Sequence, residues 1–124
     1  MPEITISKKG GAVSLQLEYL HERIGTYRVY FDGEPDLALG SAIGLSDPIQ
    51  IAEKPISITE DKDLYIELVV KEFPEGDAPA GPFAITTWFS QVGWNIPESP
   101  DRDSGKLTDG REALINLYYF KLVP

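Results

Sequence analysis

The acidic residues of one short segment are spaced like the ligands of a calcium-binding loop. Residues 100–112 read PDRDSGKLTDGRE. If Asp101 is counted as position 1, positions 1, 3, 9 and 12 are occupied by Asp101, Asp103, Asp109 and Glu112. Carboxylates at these positions of a twelve-residue loop supply the oxygen ligands that calcium requires. The spacing therefore raises the question of a metal site.

The rest of the segment does not fit the helix–loop–helix calcium site. That site needs Gly at position 6 for its sharp bend, and Lys106 stands there instead. Pro97 and Pro100 occupy the place of the entering helix, which they would break. We interpret residues 100–112 as an acidic turn between two strands, because Asp and Gly are typical of turns. The alternative is a looser calcium site formed by Asp101, Asp103 and Asp109.

Residues for nucleophilic or metal-assisted catalysis are scarce in this chain. It has no cysteine, which excludes thiol catalysis and cysteine-ligated metals, and His21 is its single histidine. A Ser–His–Asp triad would have to use His21, and no nucleophile motif such as Gly-x-Ser-x-Gly accompanies it. We therefore predict no catalytic residues, no enzymatic activity and no cofactor, apart from the alternative calcium site.

An aromatic segment without charge is the better candidate for binding. Residues 78–97 contain no charged side chain, although the chain carries a formal net charge of −9. The segment includes Trp88 and Trp94 among polar neighbours such as Asn95. An uncharged, exposed stretch is typical of a contact surface, and tryptophan offers a large, rigid ring. We predict a ligand-binding surface at Trp88, Trp94 and Asn95, with the alternative that the rings are buried in the core.

The negative net charge of the chain limits the classes of molecule that it is expected to bind. A surface this acidic repels phosphate backbones, so we exclude nucleic acid and expect a protein or a glycan as partner. A basic protein partner suits the charge, and a homo-oligomer is also compatible with the sequence. Several prolines and glycines interrupt the uncharged stretch, so it is not a membrane span. No signal peptide is visible, which leaves the compartment unknown and the cytoplasm as the default.

Alternating hydrophobicity predicts the elements that must position these residues. Every second residue is apolar in VSLQLEY, TYRVYF and LYIELVV, and also in FAITTWF except for Thr87, which is typical of strands with one face in a core. Shorter strands are predicted at residues 3–7 and 56–59. The last strand, ALINLYYFKLV, is apolar on both faces apart from Asn116 and Lys121, so we expect a central strand covered on both sides. Clusters rich in Gly, Pro and Asp separate these segments.

Two segments are also compatible with helices. Residues 11–25 place apolar side chains at helical spacing before Gly25, and residues 108–117 begin with a capping threonine. We favour strands for both, because alternation and β-branched residues dominate the chain. The sequence thus predicts one domain over residues 1–124, an all-β, antiparallel β-sandwich of about seven strands.

The function expected from these observations is binding. We predict a non-enzymatic binding or structural module that mediates protein–protein interaction. The alternative is a carbohydrate-binding module or lectin. In that case Trp88 and Trp94 would stack on sugar rings, and the acidic residues would hold calcium or sugar hydroxyls.

Overall fold

The computed structural model of the chain describes residues 3–19, 24–41, 44–58, 63–70, 81–107 and 113–124. These residues form nine strands and one short 3-10 helix. The strands are β1 (Glu3–Ser7), β2 (Val13–Tyr19), β3 (Ile24–Phe31), β4 (Ala38–Ser41), β5 (Ile49–Ala52), β6 (Leu64–Val70), β7 (Gly81–Gln91), β8 (Asp101–Leu107) and β9 (Ala113–Val123). The 3-10 helix spans Pro55–Ser57.

The strands form two sheets, which confirms the predicted all-β sandwich. The five-stranded sheet has the order β1-β9-β6-β3-β4, and the four-stranded sheet has the order β5-β2-β7-β8. Neighbouring strands of the described chain run antiparallel, except that β1 and β9 pair in parallel. The first and last strands of the chain therefore lie side by side, and β9 is central, as predicted.

The core lies between the sheets and follows from the alternation of the sequence. In β2 the residues alternate strictly between buried and half-buried side chains, beginning with buried Val13. In β1, Ile4 and Ile6 are fully buried, and Tyr118 and Phe120 of β9 are 1% exposed. Because successive side chains of a strand point to opposite faces, the intervening residues form the two outer faces of the sandwich.

The structure corrects several details of the predicted strands. The strand predicted at residues 56–59 is wrong, because residues 55–57 form the 3-10 helix, which begins with Pro55. The outer side of β9 is not fully covered, since Leu117 and Tyr119 are half-buried. The short strands β4 and β5 were not predicted, because four residues are too few for a clear period.

The segments that were ambiguous between helix and strand are strands where the structure describes them. Residues 13–19 belong to β2, residues 24–25 begin β3, and residues 113–117 belong to β9. Residues 20–23, which include His21, and residues 108–112 lie outside the described residues. No helix in the described part of the chain is long and apolar enough to span a membrane.

Candidate functional site

Trp94 lies in the connection between β7 and β8 and contacts the opposite sheet. Its indole Nε1 donates a hydrogen bond to the carbonyl oxygen of Thr5 in β1, at 3.0 Å. The ring is half-buried and packs against the hydrophobic core. Trp94 therefore has structural contacts, and only part of its surface is open to solvent.

Trp88 and Asn95 lie at separate places. Trp88 is on the outer face of β7, opposite Gln16 of β2, and is half-buried. The outward direction follows from its buried neighbours Thr87 and Phe89, which face the core. Asn95 follows Trp94 and is exposed. The predicted binding residues thus occupy two surfaces, one on the outer face of β7 and one at the turn after it.

The acidic segment forms a strand over the part that the structure describes. Residues 101–107 are β8, which pairs antiparallel with β7, so the predicted turn is wrong over this range. Asp, Ser and Gly have low strand propensity, but pairing with a long neighbouring strand overrides it. Asp109 and Glu112 lie outside the described residues.

The two described aspartates of the calcium hypothesis have different surroundings. Tyr118 donates a hydrogen bond from Oη to Oδ2 of Asp101 at 2.7 Å, and Thr87 Oγ1 lies 3.4 Å from the same phenol oxygen. Burial raises the pKa of Tyr118, so this phenol keeps its proton and remains a donor. Asp103 lies two residues further along the strand, on the same face, and is exposed. Among the described residues, no group of three or more His, Cys, Asp or Glu side chains could hold a metal ion.

A surface that was not predicted lies on the outer face of the five-stranded sheet. We call it the tyrosine face, and it consists of Arg28, Tyr30, Tyr65, Glu67 and Tyr119. Its members alternate along β3, β6 and β9 with residues of the core such as Val29 and Ile66, which are fully buried. All five side chains are half-buried rather than covered. The face is therefore open to solvent yet rich in aromatic surface.

The side chains of the tyrosine face hold one another in place. The rings of Tyr30 and Tyr65 stack with centroids 5.2 Å apart and an angle of 3° between their planes. The Arg28 guanidinium lies 4.9 Å from the centroid of the Tyr30 ring, and Tyr30 Oη donates to Glu67 Oε2 at 3.2 Å. Arg28 also forms an ion pair with Asp36 at 3.0 Å, and this contact raises the pKa of the guanidinium. The face is thus pre-ordered by stacking, hydrogen bonds and charge.

The sequence held a signal for this surface. The alternation in TYRVYF and LYIELVV places Arg28, Tyr30 and Tyr65 on the face opposite the apolar residues of their strands. Outward polar and aromatic residues are common in strands, so this pattern alone does not single out a binding surface. The cross-strand register that brings Tyr30 opposite Tyr65 could not be read from the sequence, because it depends on which strands pair.

Comparison of the chain with protein-family models, with curated proteins and with solved structures gives no match. Any proposal about function therefore depends on the surfaces of this molecule.

Proposed function

We propose that this domain is a protein-interaction module, rather than an enzyme, and that it binds a partner with basic residues through the tyrosine face. The observation that carries the proposal is the stacked pair Tyr30–Tyr65, held by Arg28 and Glu67 on an open sheet face. Tyrosine and arginine are enriched at the centres of protein interfaces, where their large side chains dominate the binding energy. Because stacking already restricts the rings, little side-chain entropy is lost when a partner binds.

The charge of the molecule supports a basic protein as the occupant of this face. The chain carries a formal net charge of −9. A second copy would bring an equal charge, and like charges facing each other across an interface cost binding energy. A basic partner is instead attracted over a distance, which accelerates association at low salt. The carboxylates of Glu67 and Asp36 lie at this face and its border, where they already contact Tyr30 and Arg28 and add negative charge that attracts basic side chains.

Site-specific photo-crosslinking tests the proposal. The full chain carries p-benzoylphenylalanine in place of Tyr65 and, as a matched probe, in place of exposed Asn95. After irradiation in an extract of the source organism, we expect a protein adduct from position 65 and none from position 95. The adduct is expected to weaken as salt is raised and to disappear when Tyr30→Ala is added. An adduct from position 95 alone would contradict the proposal and support the surface at Trp94.

Glycan binding remains the second candidate, and one observation favours it. Trp88 is half-buried on the outer face of β7, and it is flanked by polar side chains, with Gln16 opposite and exposed Ser90 two residues along. An aromatic ring among hydrogen-bonding side chains is a common arrangement for stacking on sugars. A glycan array with and without a chelator tests this candidate. Glycan binding that Trp88→Ala removes and Tyr65→Ala preserves would favour the lectin function.

A further inference from the structure

A cavity opens at the side of the sandwich where the edge strands β4 and β5 belong to different sheets. Its volume is about 410 Å³, within the range of pockets that bind small ligands. The cavity is lined by Phe31, Glu34, Pro35, Asp36, Leu37, Ile51, Ala52, Ser57 and Ile58. Apolar side chains form most of this lining, and two carboxylates come from a single turn.

The apolar part of the lining belongs to the hydrophobic core. Ile51 and Ile58 are each 5% exposed, and Phe31 and Ala52 pack against the same core. Leu37 is 39% exposed and extends this apolar surface toward solvent. An occupant therefore needs an apolar stem to cover these groups.

The acidic part lies on the turn between β3 and β4. Glu34 N donates to the carbonyl oxygen of Phe31 at 2.9 Å, and Pro35 restricts the backbone between the two carboxylates of Glu34 and Asp36. Gly33 adopts a φ of 76°, which the turn requires and which glycine accepts without strain. The carboxylates are therefore carried by an ordered turn rather than by a loose loop.

The opposite wall is also ordered. Ile58 N donates to the carbonyl oxygen of Pro55 at 3.0 Å, and Ser57 Oγ donates to the carbonyl oxygen of Lys54 at 2.7 Å. These bonds fix the 3-10 helix that carries Ser57 and Ile58. The cavity is thus preformed on both sides.

We propose that this cavity receives a basic side chain, arginine or lysine, from the protein partner. The long aliphatic stem of such a residue covers apolar surface while its charged end meets the carboxylates of Glu34 and Asp36. The structure already contains an ion pair of this kind, because Arg28 donates hydrogen bonds to Asp36 Oδ1 from both Nε and Nη2, at 3.3 and 3.0 Å. Asp36 lines the cavity and also pairs with Arg28 of the tyrosine face, so the two surfaces are adjacent and one partner can contact both. That the occupant belongs to a protein rests on the proposed function.

Binding of small cations tests the cavity without any partner. The probe is n-butylguanidinium, titrated into the isotopically labelled chain and followed by NMR, with n-butylammonium as the second cation and n-butylurea as the neutral control. We expect shifts at Leu37, Ile51 and Ile58 with the cations and none with the urea. Tighter binding of the guanidinium identifies arginine, and tighter binding of the ammonium identifies lysine.

Matched variants distinguish cation binding in the cavity from nonspecific electrostatic attraction to an acidic protein. Glu34→Gln is expected to weaken the cation by about threefold, in line with a partly exposed ion pair. Asp103→Asn removes an equal charge on β8, the opposite edge strand of the four-stranded sheet, and leaves binding unchanged. Ala52→Met fills the cavity and abolishes the shifts.

Two results would overturn the inference. Equal binding of butylurea would show that charge has no part, and equal weakening by Asp103→Asn and Glu34→Gln would show general attraction. Failure of the proposed function is distinguishable, because it appears as the absence of an adduct at position 65. Cation binding without that adduct would leave a cation site and contradict the protein occupant.

Discussion

Gln91 is a buried polar side chain at the end of β7. It hydrogen-bonds to the backbone of Ser7 in β1, on the side where no described strand pairs with β1. It is 7% exposed at the end of β7. Its Oε1 accepts from Ser7 N at 2.9 Å, and its Nε2 donates to the carbonyl oxygens of Ser7 at 2.8 Å and Gly11 at 3.3 Å. A side chain at Gly10 would collide with the side-chain amide of Gln91, which would have to shift and so strain these hydrogen bonds. The amide therefore satisfies backbone groups that the core would otherwise leave unpaired.

The Gln91→Ala substitution is expected to lower the free energy of unfolding by about 2–4 kcal/mol. It leaves buried backbone groups of Ser7 without partners and opens a cavity, and both effects destabilise. Urea unfolding followed by circular dichroism measures the change. The matched control is Ser90→Ala at the exposed neighbouring position, expected to change stability by less than about 0.5 kcal/mol. A loss for Gln91→Ala no larger than that of the control would contradict this role.

At the scale of elements, the free edge of β1 is closed by side chains of the connection between β7 and β8. Among the described strands, β1 lies at the edge of its sheet and pairs with β9 alone. Glu98 accepts from Thr5 N at 2.7 Å and from Thr5 Oγ1 at 2.8 Å, while Trp94 donates to Thr5 O. An open edge strand is a template for pairing with other chains, so these contacts protect the molecule against association.

Removal of the Glu98 carboxylate is expected to open this edge. Glu98→Ala leaves Thr5 N–H without its acceptor and lowers stability by about 1–3 kcal/mol. It also frees the edge of β1 for pairing, so we expect concentration-dependent association in size-exclusion chromatography with light scattering. The matched control is Glu53→Ala, an exposed glutamate just after β5. If Glu98→Ala stays monomeric at every concentration at which Glu53→Ala does, the edge is protected by other means.

At the scale of the whole molecule, two buried tyrosines link folding to alkaline pH. Tyr19 and Tyr118 are 5% and 1% exposed, and desolvation by burial raises the pKa of both above the ordinary value of 10.0. Because the folded state holds these protons more tightly than the unfolded state, their contribution to stability is fully present below pH 10.0. It is lost as pH rises above that value.

An alkaline titration tests this linkage. We expect the tyrosinate absorbance of Tyr19 and Tyr118 to appear only together with unfolding seen by circular dichroism. Tyr19 Oη is buried without a hydrogen-bond partner among the described residues, so Tyr19→Phe should move the unfolding midpoint to higher pH. Tyr65→Phe, on the tyrosine face, is the control and should leave it unchanged. Titration of Tyr19 and Tyr118 before unfolding would contradict the prediction.

The class of fold and the direction of side chains within the longer strands follow from local sequence patterns. Alternation is local, with a period of two residues, so it can be read without knowing which strands pair. It predicted the buried positions of β2, among them Val13 and Leu17, and in FAITTWF it places Trp88 on the face opposite to that of buried Phe89. It failed where elements were short or poor in β-forming residues, as in β4 and β8.

Contacts between residues far apart in the chain depend on how the strands pair and pack. The contact of Trp94 with Thr5 joins residues 89 positions apart, and that of Tyr30 with Glu67 joins residues 37 positions apart. The acidic segment becomes a strand because β7 pairs with it, and Asp101 meets Tyr118 because the two sheets face each other. The choice of neighbouring strands and their register arises from packing of the whole chain, which no local pattern contains. The tyrosine face and the cavity exist only once that choice is made.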